Sequence, residues 1–502
     1  MKIKSILAKP FATYIYKQIK KSRLTAVADQ ESIFNSLVKT AAKTEFGKDH
    51  GFEKIKNHAD FVKNVPIRGY EEFKLYIDKI KEGKHNVLWK GQPIYFAKTS
   101  GTTSGVKYIP ITKDSISNHI NTARNALLCY MAETGHASFA SGKLIFLSGS
   151  PELERVGGIP TGRLSGIVNH HVPKYLRSNQ MPSFETNCIE DWEEKLSKIV
   201  DETLNENMTL ISGITPWIQM YFDELEKRTG KKIKDIFPNF WVMVQGGVSF
   251  EPYKAKLFES IGREVDTIEL FPASEGFFAF QDSRTEPGLL LNTCSGIFYE
   301  FVPVEELESE TPSRLTLKDV ELHKNYALII SSNAGLWAYN IGDTIKFVSL
   351  NPYRILVTGR IKHFISAFGE HVIGEEVESA LGEAAKEFGV SITEFTVAPN
   401  ISTSGEKSFH EWFIEFEKEP VDLDLFSKKM DDNLRQKNIY YDDLVKGNIL
   451  QPLKIKVVKK NGFIDYMKSV NKLGGQNKVP RLSNDRLLAD ALKKWIKVEV
   501  SL

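Results

Sequence analysis

Three cysteines in 502 residues, Cys129, Cys188 and Cys294, are too few and too scattered for a disulfide framework. None makes the C-x-x-C spacing of a structural zinc site, and their scarcity fits a reducing cytosol. No apolar run approaches the length of a bilayer span. Neither sign of charge prevails: 66 Lys and Arg against 64 Asp and Glu leave a formal net charge of +2, which provides no global field for nucleic acid. A G-x-S-x-G elbow, an H-E-x-x-H pair and carboxylate or histidine clusters at ligand spacing are all missing, which removes common hydrolytic and metal chemistries. The adjacent His170 and His171 read as a loop feature. What remains is a folded, soluble composition, 41% hydrophobic and 26% charged, in a chain long enough for two or more domains.

The first 28 residues hold seven Lys and Arg and no acid until Asp29, with Leu7, Phe11, Tyr14, Ile15 and Ile19 at helical spacing. A surface-seeking helix or transit peptide would show such a pattern. Arginine is scarce, however, and the pattern runs straight into further helix, so a helix packed on the body with a solvated basic face is the expectation.

The rest of the N-terminal hundred residues reads as helical. From Gly142 onward, short apolar runs (144–149, 209–213, 240–247, 265–271) alternate with helical stretches such as 191–204 and 216–228. That alternation predicts an α/β domain with a mostly parallel sheet. After Leu289 strands dominate, predicting an appended β-rich subdomain. A boundary near Gly359 divides a large domain, 1–358, from a small α+β lid, 359–502. The lid reads as helix 375–388, strands 394–398 and 409–416, helix 423–437, strand 453–459 and a terminal helix burying Leu487, Leu488, Ala491, Leu492, Trp495 and Ile496.

Against this background one run stands out, TSGTTSGVK from Thr99 to Lys107. Glycine lets backbone approach an anion closely, and Ser and Thr hydroxyls add donors beside the N–H groups, a chemistry suited to an oligophosphate. It is not a Walker A loop: Gly101 and Gly105 are four apart, and Val106 separates Gly105 from Lys107. A strand-like run (94–99) precedes it and a helical segment (112–131) follows. On its own the run fits either a phosphate loop or a flexible linker.

Other segments gain meaning from their order. In QGGVSFEPY, Gly246 and Gly247 follow a strand, where ligands of α/β sheets gather, and would leave a flat surface for a base; taken alone, an ordinary strand-to-helix turn explains them better. FPASEG again ends a strand: Phe271 can stack, Ser274 can donate to phosphate, and Glu275 can hold Mg²⁺, or Phe271 is core and Glu275 solvated. In YNIGD, Asp343 is either a turn residue or an acceptor for vicinal ribose hydroxyls. Arg360 at the boundary reaches a nucleotide or solvent. Lys478 in GGQNKVPR lies on an irregular loop, since Pro480 biases Val479 toward extended backbone.

Taken in order, these segments resemble the adenylate-forming acyl ligases and, more narrowly, the auxin-responsive acyl-acid amido synthetase family, which occurs in plants and bacteria. TSGTTSG resembles the phosphate loop, FPASEG the Tyr-Gly-x-Ser-Glu motif, YNIGD the Tyr-Arg-x-Gly-Asp motif and QNKVPR the Gln-x-Lys-x-Pro-Arg segment. KTEFGKDHGF (43–52) extends the resemblance over nearly the whole chain. It implies that Thr99, Ser100, Gly101, Thr102 and Thr103 cradle phosphate. Phe271, Pro272, Ala273, Ser274 and Glu275 would meet adenine, phosphate and Mg²⁺, and Asp343 would hold the ribose. Lys478 would be the mobile catalytic cation and Lys362 the hinge. Two departures stand out: Phe271 replaces a tyrosine and Asn340 replaces an arginine, the second removing a charge beside Asp343. The implied activity uses ATP and Mg²⁺ to activate a small carboxylic acid as acyl-AMP and passes the acyl group to an amine such as an amino acid. An acyl-CoA ligase with a thiol acceptor and a non-catalytic nucleotide-binding regulator are the alternatives.

Overall fold

The computed structural model describes residues 2–102, 105–172, 177–247, 250–307, 309–360, 364–365, 367–370, 372–402, 407–470 and 479–497. The chain forms two compact units: Met1–Thr99, Lys107–Ile189 and Lys195–Ile361 make the first, and Ser100–Val106, Glu190–Glu194 and Lys362–Leu502 the second.

In the first unit the N-terminal segment is helical throughout, with helices Lys2–Ser22, Ala26–Ala41, Glu45–Asp49, His58–Asn64 and Tyr70–Lys81. The leading helix lies on the body as expected, through a face that shares Ile15 and Ile19 with the predicted stripe but is rotated toward the alanines. Ala8, Ala12, Ile15, Tyr16 and Ile19 meet the core, while Phe11 and Tyr14 are exposed. Alanines allow a close approach to the helix Ile116–Thr134, and only Phe11 and Tyr14 of the expected stripe point outward among the described side chains. The second helix is pinned by one buried side chain: the Gln30 amide donates to Thr293 O (2.8 Å) and Ile297 O (2.9 Å) and accepts from Tyr299 N–H (2.9 Å).

The strands, in chain order, are β1 Tyr95–Thr102, β2 Gly105–Ile111, β3 Lys143–Phe146, β4 Glu154–Val156, β5 Ile159–Gly162, β6 Gln180–Met181, β7 Met208–Gly213, β8 Val242–Gly246, β9 Asp266–Ala273, β10 Gly276–Phe280, β11 Leu289–Leu291, β12 Ile297–Pro303, β13 Asn325–Ser332, β14 Tyr339–Leu350 and β15 Tyr353–Arg360. A four-stranded sheet runs β2-β1-β5-β4. The TSGTTSG run therefore spans the end of β1 and the start of β2, with β2 intervening before the helix Ile116–Thr134. The principal sheet has 11 strands in the order β12-β13-β14-β15-β11-β10-β9-β8-β7-β3-β6. From β6 to β9 every neighbour is parallel, and from β9 to β12 every neighbour is antiparallel. The β-rich stretch after Leu289 thus continues the α/β sheet through the short strand β11. Its strands β12 and β13 are buried nearly throughout, matching their unbroken apolar character.

In the second unit, β16 Phe364–Ile365 and β17 Val372–Ile373 form a short hairpin. β18 Ser391–Asn400, β19 Phe409–Lys418 and β20 Lys454–Val458 form a three-stranded sheet, with β19 antiparallel to β18 and parallel to β20. Helices Gly374–Phe388, Leu423–Lys437, Ile439–Lys446, Gly462–Ser469 and Leu487–Leu492 accompany it. The terminal helix is shorter than its apolar spacing suggests. Leu488, Ala489 and Leu492 are buried, Leu487 is exposed, and Ile496 bridges to Val458 as extended backbone. Buried Glu370 accepts from Phe368 N–H (2.8 Å) and pairs with buried His410 (2.9 Å).

No helix among the described residues is long and apolar enough to cross a membrane. Cys129 is buried, Cys188 half-buried and Cys294 exposed, all three as free thiols.

The helix Ile116–Thr134 buries His119, whose Nδ1 has no partner. Burial draws its imidazole down to about 4, so it stays neutral in the fold. An unfolded imidazole takes a proton below about 6.5, the folded one only near 4, and stability falls as pH drops between these values. His119→Gln removes on the order of 2–3 kcal/mol of that acid loss. Thermal unfolding of both proteins from pH 7 to pH 4.5 measures it, and equal acid sensitivity would refute the assignment.

Candidate functional site

Ligands of open α/β sheets collect beyond the carboxyl ends of parallel strands. In the first unit β8 ends at Gly246 and β9 at Ala273 on that edge. Gly246 stands opposite Leu270, and a Cβ on it would fall 2.4 Å from Leu270 O, so close strand packing itself demands glycine there. Gly247 leaves the strand at φ +84°, a left-handed conformation suited to glycine, and lies exposed. Gly247 thus presents bare backbone at the edge, while Gly246 serves strand packing.

At the end of β9 the chain reverses on itself. Ser274 and Glu275 form a two-residue turn, with Gly276 opposite Ala273, and both turn residues are half-buried. The Tyr339 hydroxyl lies 3.5 Å from Glu275 Oε1, at the outer limit of hydrogen-bond reach. Tyr339 opens β14 and is itself buried, edge-on to Phe73. The turn bearing Glu275 and the strand bearing Asp343 therefore meet.

A residue that sequence reading passed over holds this hairpin. The β9–β10 register shifts between Phe277 and Ala279, an irregularity of the bulge kind that interrupts ladder pairing. Buried Asn118 compensates: its Oδ1 accepts from Phe277 N–H (2.7 Å), and its Nδ2 donates to Phe277 O (3.2 Å) and Ser295 Oγ (2.7 Å). The trace in the sequence is faint: an amide beside His119, with Thr122 one turn later, on the buried face of the helix. Thr122 in turn accepts from Asn292 Nδ2 at 2.6 Å.

Asn340 has a definite task. Its Oδ1 accepts from Gly342 N–H (2.9 Å), an Asx-type contact that shapes the backbone just before Asp343. Gly342 takes φ +88°. Asp343 follows, buried, opposite Arg360 across β14 and β15. Behind this strand stands KTEFGKDHGF. Arg68 exchanges backbone hydrogen bonds with Asn340 N–H (2.8 Å) and Ala338 O (3.0 Å), and its guanidinium donates to His50 Nε2 (2.6 Å). Burial, chiefly, lowers the His50 imidazole; with the guanidinium donating to Nε2, Nδ1 is the nitrogen that donates to Phe46 O (2.8 Å).

One sequence reading needs correction. Phe271 was expected to stack on a base, but its ring is buried in the core, edge-on to Phe278 at 5.2 Å. Both faces of β9 are covered, Ile268 on one side and Phe271 on the other, so the core alternative holds for Phe271. Pro272 and Ala273 are half-buried at the strand end. Thr99, also half-buried, belongs to the first unit, while Ser100, Gly101 and Thr102 continue the backbone of β1. Arg360 closes β15. Thr103, Lys362 and Lys478 lie outside the described residues.

The donor set bears on the metal. Among the described residues no three His, Cys, Asp or Glu converge as a protein cage. Mg²⁺ needs only one or two carboxylates, completing its octahedron with phosphate oxygens and water. The half-buried Glu275 turn fits that demand.

The architecture is one that acyl-activating ligases share. It aligns with the solved structure of AtGH3.15 acyl acid amido synthetase in complex with 2,4-DB over 96% of both chains, at a TM-score of 0.60 and 16% identity. It also aligns with 2-hydroxyisobutyryl-CoA ligase in its thioesterification state over 97% of this chain and 91% of the ligase, at a TM-score of 0.55 and 12% identity. At those identities the likeness establishes the adenylate-forming fold alone. Family models are more specific: the GH3 family N-terminal domain matches residues 15–191, the central domain 290–360 and the C-terminal domain 375–487. The chain belongs to the GH3 family. Among its curated relatives, indole-3-acetic acid-amido synthetase GH3.3 of Arabidopsis thaliana is 22% identical, over 90% of this chain and 88% of the relative. The jasmonoyl–L-amino acid synthetase GH3.5 of Oryza sativa subsp. japonica is 21% identical, over 91% and 92%.

Asn118→Ala strips partners from two buried backbone groups of Phe277, which should cost roughly 2–4 kcal/mol. Denaturant unfolding measures the loss, and a change below about 1 kcal/mol would show that the hairpin does not depend on this amide.

Proposed function

We propose that this chain is an ATP-dependent acyl-acid amido synthetase. The observation that carries the reading is the meeting of the Glu275 turn with the Asp343 strand through Tyr339, at the strand edge, in a chain of the GH3 family.

Two half-reactions follow. A carboxylate oxygen of a small acid attacks the α-phosphorus of ATP, the bond to pyrophosphate breaks, and acyl-AMP forms. The nitrogen of an amine, an amino acid in this reading, then attacks the acyl carbon; the C–O bond to AMP breaks and the amine's proton is released. Asp343, held by the Asn340 turn, receives the ribose hydroxyls, and Gly247 supplies bare backbone beside the base. With Phe271 turned into the core, contact with the adenine falls to the backbone of Pro272 and Ala273. Thr99 to Thr103 and Ser274 donate to phosphates, and Arg360 closes the nucleotide side. Glu275 would hold Mg²⁺, which would supply positive charge against the phosphates when bound. Lys478 neutralises the charge that develops as two anions combine. The division at 358–359, with residues 359–502 as a lid turning about Lys362, completes the reading and supplies a means of excluding water from a hydrolysable anhydride. Cytoplasmic residence belongs to the same proposal.

The second reading, thiol transfer to coenzyme A, is favoured by the fold shared with the CoA ligase. Product analysis with amino acids against coenzyme A decides between them: a thioester as sole product overturns the amide assignment.

Acid-dependent exchange of pyrophosphate into ATP, run across a panel of carboxylic acids, tests the first half-reaction. Lys478→Ala should lower that exchange by about 100-fold while nucleotide binding persists; unchanged exchange would refute its role. Asp343→Ala should weaken nucleotide binding by about tenfold in calorimetric titration, the worth of one charge-assisted hydrogen bond. Equal affinity in both proteins would move the ribose elsewhere.

A further inference from the structure

Beside the site just described lies a polar cluster that no step above uses. Lys195, on the helix Trp192–Thr203, is 3% exposed. Its ammonium donates to two backbone carbonyls, Ser148 O (3.0 Å) and Asn187 O (2.7 Å), and no carboxylate pairs with it among the described residues. Burial draws this ammonium down to about 8, and the neighbouring Arg163 pushes in the same direction. Arg163 lies against the backbone of Gly149, where a Cβ would come within 2.8 Å of its Cδ. The two residues whose carbonyls Lys195 grips are themselves incomplete. Asn187 is 1% exposed with neither Oδ1 nor Nδ2 partnered, and the Ser148 hydroxyl is buried and unpartnered.

The cluster is built, and it is well placed. Glu202 holds the segment before Asn187, accepting from Ser183 N–H (2.7 Å), Ser183 Oγ (2.6 Å) and Thr186 Oγ1 (2.5 Å). Ser148 follows β3, and Leu147 N–H still bonds Ser212 O (2.8 Å) on β7. β7 neighbours β8, with Gly213 opposite Gln245. The cluster therefore sits on the carboxyl edge two strands from Gly246, about 10 Å away at the usual strand spacing.

Chemistry identifies what is missing. A buried ammonium without a counter-charge is costly, and a second cation beside it raises the cost. The missing complement is an anion. A primary amide unpaired at both oxygen and nitrogen asks for a donor and an acceptor together. A free α-amino acid supplies carboxylate and amine on adjacent atoms. We infer that Lys195, Arg163 and the Asn187 amide bind the carboxylate end of the amine acceptor and select amino acids over simple amines. This rests on the amido synthetase reading and names the acceptor site within it.

The test compares L-amino acids with their decarboxylated amines as acceptors for the same activated acid. In the unaltered protein, KM for the amino acid should be lower than for the matching amine by about tenfold or more. Lys195→Met should raise KM for amino acids by about tenfold, with kcat and the KM for amines moving less than about threefold, and Lys195→Arg should restore much of the loss. If Lys195→Met melts early, Arg163→Met, at a half-buried position, carries the same comparison. Equal use of amines and amino acids by the unaltered protein, or a variant that impairs both acceptors alike, overturns the proposal. Absence of acid-dependent pyrophosphate exchange in the unaltered protein instead overturns the synthetase reading. In that event calorimetric titration of amino acids into the unaltered protein and Lys195→Met still decides the site: weakened binding in the variant supports it, and equal heats refute it.

Discussion

The reversal of the chain at the end of β9 is the constraint on which the remainder depends. Up to Ala273 the principal sheet is parallel, and beyond Gly276 it is antiparallel. The two residues between, Ser274 and Glu275, sit where a parallel strand would otherwise pass into a crossover. Two consequences follow. A carboxylate is fixed at the edge where α/β sheets bind ligands. The antiparallel half, folding back through β11 and β15, then brings β14 round so that Tyr339 reaches Glu275 and Asp343 follows four residues later. Had the chain crossed over at Ala273, Glu275 would open a helix and no antiparallel strand would lie beside it.

That arrangement is braced mainly by single polar side chains that complete the backbone, rather than by ion pairs on the surface. Gln30 satisfies three backbone groups around β12, Asn118 completes Phe277 at the irregular step of β10, and Asn340 sets the turn before Asp343. Each amide presents a donor and an acceptor, so one side chain can satisfy a peptide left out of a ladder. Exposed ion pairs contribute little by comparison, a median near 0–1 kcal/mol each.

Much of this was legible in the sequence, for a physical reason in each case. Strands buried on both faces read as apolar runs, and helices between them announce a parallel sheet, so β3, β7, β8 and β9 fall where predicted. The continuity of the sheet was not legible. It depends on β11, three residues that pair with β10 and β15, the latter more than sixty positions away, and no local signal specifies such pairing. The N-terminal helix misled because two neighbouring stripes were both apolar; alanine's small size, which permits close approach, decided in favour of Ala8 and Ala12. Phe271 misled because residue type cannot say which face of a strand it occupies at a site edge. Asn340 looked like a loss when set beside an arginine motif, yet its side chain performs a backbone task that composition cannot reveal.

The treatment of buried cations separates scaffold from site. Arg354 and Arg23 share Asp282, with Arg354 and Asp282 both buried and 2.6 Å apart. Arg314 and His58 share buried Glu300, at 2.7 Å each. Burial alone would raise the Glu300 carboxyl, and these two partners outweigh it and hold it below its ordinary value. In both places the fold supplies the counter-charge itself, as the desolvation cost of a buried ion requires when the ion serves structure. Lys195 departs from that rule: its partners are two carbonyl oxygens, which solvate the ammonium without neutralising it. At Asp282 and Glu300 the fold matches buried guanidinium with carboxylate; at Lys195 no carboxylate among the described residues does so, and the proposed acceptor site would balance that charge with a ligand.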